Sequence, residues 1–261
     1  MLLLLPPSEG KTAPSTEASA RPVDLTALTS PELTATRRRI LAALAETSSH
    51  PDAAHLLGVG PAVRSAIARN PHLLTEPAAP AAEVYTGVLY AAAGLSDPAV
   101  RERAARHVRI TSALWGLVSP EDRIPAYRLS MGVNLPGIGP LARAWREPLA
   151  TILDPAAADG IVVDCRSSTY VAAWRPPPGC DWVSVRVLRD VDGTRSVVSH
   201  HAKHARGLLI HHLMMRDDPV PVDADELFMA AKELAGTQVL DVELSSWPAR
   251  VGPRELTLTV A

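Results

Sequence analysis

Apolar and polar positions fall into two regimes along the chain. Leu2–Leu5 is an unbroken apolar run stopped by Pro6-Pro7, the pattern of a strand buried on both faces. From Pro31 to Thr47 apolar residues recur at helical spacing, with Ser30 at the cap position and Arg37, Arg38 and Arg39 inside the run. Asp52–Asn70 reads as two short helices around Gly58–Pro61. A Pro/Ala connector at Glu76–Pro80 leads into a helix ending near Gly94, and Asp97–Arg106 predicts another. Val108–Val118 is apolar throughout, so periodicity does not separate strand from buried helix. Ser119–Pro140 reads as a long loop and Leu141–Leu153 as a helix.

The second half turns to β-branched runs at Ile161–Asp164, Trp182–Arg189 and Arg195–His200, the last two joined by the turn-forming pair Asp192-Gly193. Helices follow at Ala202–Arg216 and Ala224–Leu234, then strands at Val239–Leu244 and Glu255–Val260. No linker composition interrupts the chain, so the expected fold is a single α/β domain over residues 1–261 with a mixed sheet.

Composition narrows the function classes. A net charge of -2 over 261 residues supplies no global field toward nucleic acid, so a footprint there has to come from local clustering. Two cysteines, Cys165 and Cys180, cannot build a disulfide framework, which suits a reducing compartment. The apolar run at the start is too short for a membrane span and has neither the basic lead nor the cleavage site of a signal peptide. The expectation is a cytoplasmic protein with no membrane partner.

The segment His55-Leu56-Leu57-Gly58-Val59-Gly60-Pro61-Ala62-Val63-Arg64 carries an apolar–Gly–apolar–Gly turn before a helix, the helix-hairpin-helix pattern, within residues 52–70. Gly58 and Gly60 let the backbone approach a phosphate closely, the helix start directs N–H groups outward, and Arg64 adds charge. The same spacing also makes a plain structural turn. Leu135-Pro136-Gly137-Ile138-Gly139-Pro140 repeats the signature, as a second phosphate-contacting turn or merely a helix cap, and ranks second because a proline-broken loop precedes it.

Five blocks in order make the chain resemble the YaaA family of peroxide-stress proteins. They are Leu2–Leu5 with Lys11-Thr12, Val84-Tyr85-Thr86-Gly87, Leu114–Pro120 through Ile124–Gly132, Ser167 to Tyr170, and Ser199 to Gly207. The resemblance implies an α/β fold with a basic cleft and a helix-hairpin-helix element at His55–Asn70. It also implies binding of double-stranded or branched DNA, largely independent of sequence, that limits oxidative damage.

Lys11, Arg123, Arg128, Lys203 and Arg206 all fall in these blocks and are the expected phosphate contacts beside Gly58, Gly60 and Arg64. Each taken alone is as readily a solvated or structural charge. A competing reading is an enzyme acting on a nucleobase or nucleotide by glycosylase- or lyase-type chemistry, with Lys11, Ser167, Tyr170 and Lys203 in the cleft and a small nucleotide-like ligand there. Gly10-Lys11-Thr12 imitates a phosphate-binding loop, but Leu5 stands where that loop needs its first glycine. Cys165 beside Arg166 raises the question of a reactive thiol, with a small buried hydrophobe the favoured reading. The histidines at 200, 201, 204, 211 and 212 lack ligand-spaced partners and read as helix-surface residues, so no metal or cofactor is expected. Tyr85, Tyr127 and Tyr170 suit either stacking on a ligand or packing.

Overall fold

The computed structural model describes residues 1–14, 21–60, 63–197, 200–247 and 252–261. Pro61 and Ala62 of the first glycine turn, and Ser199 of the last block, lie outside them. The first strand, β1 (Leu2–Leu5), is the apolar run at the start, and Leu3, Leu4 and Leu5 have no exposed surface. A 3-10 turn at Pro31–Leu33 opens helix α1 (Thr34–Ser49), followed by α2 (Ala53–Leu56) and α3 (Arg64–Ile67). Then come β2 (Ala79–Pro80), α4 (Ala81–Val84), α5 (Val88–Ala93), α6 (Pro98–His107), β3 (Val108–Ser112) and β4 (Gly116–Val118). Three two-residue strands, β5 (Arg123–Ile124), β6 (Asn134–Leu135) and β7 (Gly139–Pro140), precede α7 (Leu141–Ala158), β8 (Val162–Asp164) and α8 (Ser168–Val171). The chain closes with β9 (Trp182–Val191), β10 (Thr194–Val197), α9 (His200–Met215), α10 (Ala224–Lys232), β11 (Asp241–Leu244) and β12 (Arg254–Val260).

Eight strands form one mixed sheet in the order β11-β12-β9-β8-β1-β3-β4, with β10 paired to β9. The five inner strands are parallel, whereas β4, β10 and β11 pair antiparallel at the margins. The mixed α/β expectation holds.

Several local readings change. Ser30 does not cap a helix with its side chain. It is left-handed (φ 59°), and its carbonyl accepts from the Leu33 N–H at 3.1 Å to start the 3-10 turn. Val108–Val118 is a hairpin rather than one element, turned at residues 113–115, and Gly116 opens β4 at φ 72° where a Cβ would lie 2.5 Å from the Trp145 ring. The helix expected to end near Gly94 is two, α4 and α5, broken at Gly87 (φ 123°). Residues 119–140 are not a loose loop: Ile124, Tyr127, Leu129, Met131 and Leu135 are all buried. Helix α7 runs past Leu153 through Pro148 and Pro155 to Ala158. Of the strand expected at Arg195–His200, Thr194–Val197 is β10, residues 198 and 199 lie outside the described residues, and His200 belongs to α9.

Two contacts lock the layers. Arg37, one of three consecutive arginines, is fully buried and donates to the carbonyls of Thr29, Trp115 and Leu117 at 2.6–2.9 Å. Burial lowers its pKa to about 10, and Asp122 offsets part of that cost through its charge. On the other face, α9 meets α5 at Gly207, where a Cβ would sit 2.5 Å from the Leu89 carbonyl.

Arg37→Leu should destabilise the protein by about 3–5 kcal/mol, because it strands three buried carbonyls and leaves Asp122 without its countercharge. Gly207→Ala should cost about 1–3 kcal/mol by forcing α5 and α9 apart. Denaturant unfolding of each variant measures both.

Candidate functional site

In an open parallel sheet the loops that follow the strands emerge at one edge, and ligand sites gather there. The segment Pro6–Lys11 follows β1, Ser112 ends β3, and Cys165–Tyr170 follows β8, so three separate stretches open at this edge. The segment 125–132 belongs to the same cluster. Tyr127 Oη lies 2.7 Å from Ser112 Oγ and 2.9 Å from Tyr85 Oη, a continuous buried hydroxyl chain. A Cβ on Gly132 would lie 3.6 Å from Thr169, so this segment also meets the loop after β8.

Lys11 sits against this chain. Its ammonium donates to the Ser8 carbonyl at 2.7 Å and lies 4.4 Å from the Tyr127 ring centre and 5.5 Å from that of Tyr85. Burial brings its pKa down to about 8, with Glu9 opposing the shift and Arg128 reinforcing it. Glu9 is held instead by Arg128 at 2.8 Å. Arg128 is fixed by Asn70: the Asn70 side chain accepts from the Arg128 N–H and donates to its carbonyl, each at 2.9 Å. Asn70 closes the 52–70 segment, so the expected helix-hairpin-helix region is tied directly to the Lys11 cluster.

Two donors in the cluster are unspent. Arg128 Nε is buried without a partner. The Tyr170 hydroxyl is buried near Ser130 and the Met131 backbone without completing a hydrogen bond, and burial raises its pKa, as it does for Tyr85, Tyr90 and Tyr127.

The structure gathers some predicted residues and not others. Lys203, exposed on α9, borders a cavity of about 270 Å³ lined also by Ser8, Glu9, Gly10, Thr86 and Tyr90. Lys11, Arg128, Tyr170 and Lys203 therefore share one neighbourhood. Arg206 places two guanidinium donors on the Val185 carbonyl at 3.0 and 2.7 Å, and Arg123, on β5, donates to the Ala78 carbonyl. Five free cations converging on one basic cleft are not what the structure contains. Ser167 is exposed ahead of α8 and caps nothing with its side chain.

Cys165 is fully buried, and desolvation pushes its thiol to about 12 despite Arg206, so burial favours the neutral thiol. The neighbouring Arg166 instead grips Asp164 with two bonds of 2.7–2.8 Å. Among the described residues no group of three His, Cys, Asp or Glu is placed to hold a metal ion. His211 approaches the Ala93 carbonyl and His212 approaches Glu233. Reading the sequence missed Ser112 and Glu9. Ser112 hides inside an apolar run, and Glu9 looks like any loop acid, so neither carried a signal.

Gly58 takes φ 62° and Gly60 an ordinary backbone, between the single-turn helices α2 and α3, with Arg64 exposed. Across α1 lies the second turn, with Gly137 at φ 76° and Gly139 at φ 91°. A groove of about 530 Å³ runs between them, lined by Arg39, His50, Leu56 and Gly137, and a second of about 470 Å³ lies along Arg39 and Arg143.

A family model described as peroxide stress protein YaaA matches residues 1–221. The chain belongs to the YaaA family. The UPF0246 protein of Streptomyces coelicolor is 44% identical over 240 residues, covering 90% of each chain. That of Corynebacterium efficiens is 40% identical over 80% of this chain and 83% of its own. A Corynebacterium glutamicum relative is 37% identical over 83% and 86%. In this YaaA chain no helix among the described residues is long and apolar enough to cross a membrane.

The Lys11 environment makes a pH prediction. Because the folded state holds this proton more weakly than the unfolded state, wild type should gain stability relative to Lys11→Met as pH rises from about 8 toward 10.5. Paired denaturant titrations across that interval test it; a constant difference would contradict the buried, partly discharged amine.

Proposed function

We propose that this YaaA protein binds double-stranded or branched DNA without reading its sequence, protecting it during peroxide stress, and that the backbone is engaged through the Gly58–Gly60 turn. One observation carries the reading. Gly60 needs no left-handed backbone, and a Cβ on it would meet nothing within 4 Å among the described residues. Neither conformation nor packing explains a glycine at that position. A bare backbone open to an outside partner does, and a phosphate is such a partner.

The second turn extends the argument. Gly137 and Gly139 have equally open surroundings among the described residues, Arg39 and Arg143 line the adjoining grooves, and Arg64 is exposed on α3. Glu46 and Glu147 line the same grooves. The affinity is therefore modest and strongly dependent on salt. The family name supports the stress context.

Gel-shift titrations with a duplex and a four-way junction at two salt concentrations test this. Gly60→Val should weaken binding to both while leaving the melting temperature unchanged. Arg64→Ala should reduce the salt slope by about 1. No retardation at low salt, or wild-type binding by Gly60→Val, overturns the proposal.

A further inference from the structure

Of the 26 basic residues in this chain only three are lysine, Lys11, Lys203 and Lys232. Where only positive charge is needed this chain uses arginine. Lys11 is the exception that the fold also encloses. An arginine there would keep its charge, whereas a lysine can lose its proton and become a nucleophile. The surroundings suit that second role. Glu9, the acid whose charge acts on Lys11, is engaged by Arg128, so among the described residues no ion pair holds the ammonium. Its one hydrogen bond is to a backbone carbonyl, and aromatic faces cover it. The Ser112–Tyr127–Tyr85 hydroxyl chain runs alongside, and among the described residues Arg128 Nε is buried without a partner while the Tyr170 hydroxyl, beside Ser130 and the Met131 backbone, completes no hydrogen bond. A cavity of about 270 Å³ adjoins the same loop through Ser8, Glu9 and Gly10, with Lys203 at its rim.

We infer that Lys11 is a nucleophilic amine that forms an imine with an aldehyde carrying a nearby phosphate. The unspent Tyr170 hydroxyl bonds the carbonyl oxygen, and Arg128 Nε and Lys203 meet the phosphate oxygens. In the reaction the Nζ lone pair adds to the carbonyl carbon while the C=O π pair moves to oxygen. The two hydrogens lost by the amine leave with that oxygen as water, relayed by the tyrosine hydroxyls, and C=N replaces C=O. No oxidant or reductant is consumed. At pH 7 an amine titrating at about 8 is uncharged roughly 300 times more often than one at 10.5. Two sources present this chemistry, the ring-opened deoxyribose of an abasic site in DNA and a free sugar phosphate. The first rests on the DNA reading and the second stands without it.

Borohydride trapping tests the inference on the full chain. It is run separately with a duplex containing one abasic site and with glyceraldehyde 3-phosphate, with propionaldehyde as the aldehyde lacking phosphate. Hydride reduces the imine carbon to leave a stable secondary amine, located by peptide mass mapping among the three lysines and the N-terminus. The expected result is an adduct on Lys11 with at least one phosphate-bearing probe, more efficient than with propionaldehyde, forming faster as pH rises to about 8 and levelling beyond it. Lys11→Met should reduce trapping to the background of Lys203 and Lys232. The mapping and the pH profile on wild type stand independently of how that variant folds. An adduct confined to Lys203, Lys232 or the N-terminus, a midpoint near 10.5, or no adduct with either phosphate probe overturns the inference. Absence of gel retardation alongside trapping by glyceraldehyde 3-phosphate would sink the DNA reading and leave this one standing.

Discussion

Everything that gives this protein a site depends on the first strand being hydrogen-bonded in parallel on both sides. Leu3 faces Val108 across one ladder and Val163 across the other, and its neighbours Leu4 and Leu5 share the same burial. Four leucines in a row have no polar face to offer water, so the run is stable only at the centre of a covered sheet. Because β3 and β8 run parallel to it, the three strands release their chains at one edge. Lys11, Ser112 and Tyr170, far apart in sequence, meet there for that reason.

The helix α1 supplies the second constraint by serving both of its faces. Arg37 points inward and bonds three carbonyls, two of them on or beside the β3–β4 hairpin, while Arg39 lines the outer grooves between the two glycine turns. A charge as deeply buried as Arg37 is tolerated because hydrogen bonds and Asp122 offset its desolvation. The same helix thus anchors the hairpin and presents cations outward. The bond from Asn70 to Arg128 couples this outer region to the edge where Lys11 lies. The two regions differ in what they present: one turns open glycine backbone and arginines outward, and the other encloses a lysine among tyrosines.

That division accounts for the partial scatter of the basic residues. Arg206 and Arg123 occupy blocks that mark the family, yet their guanidinium groups satisfy backbone carbonyls. A multi-donor side chain is well suited to capping strand ends and loops. Those bonds to backbone carbonyls give both residues a role in the fold.

The sequence alone determined the class of fold and most elements, since burial on both faces, helical spacing and turn residues leave local signatures at Leu2–Leu5, Leu141–Leu153 and Asp192-Gly193. It also marked the glycine turns and Lys11, because glycine pairs and a lysine after a buried strand are visible as residues. It determined the family through ordered blocks. Only the tertiary structure decided which charges are spent and which are free. Arg37, Arg38 and Arg39 look alike in a sequence, and Ser112 is one more residue in an apolar stretch, because hydrogen-bond partners come from distant segments. The depressed proton affinity of Lys11 has the same origin: it arises from burial against Tyr85 and Tyr127, which no local pattern encodes.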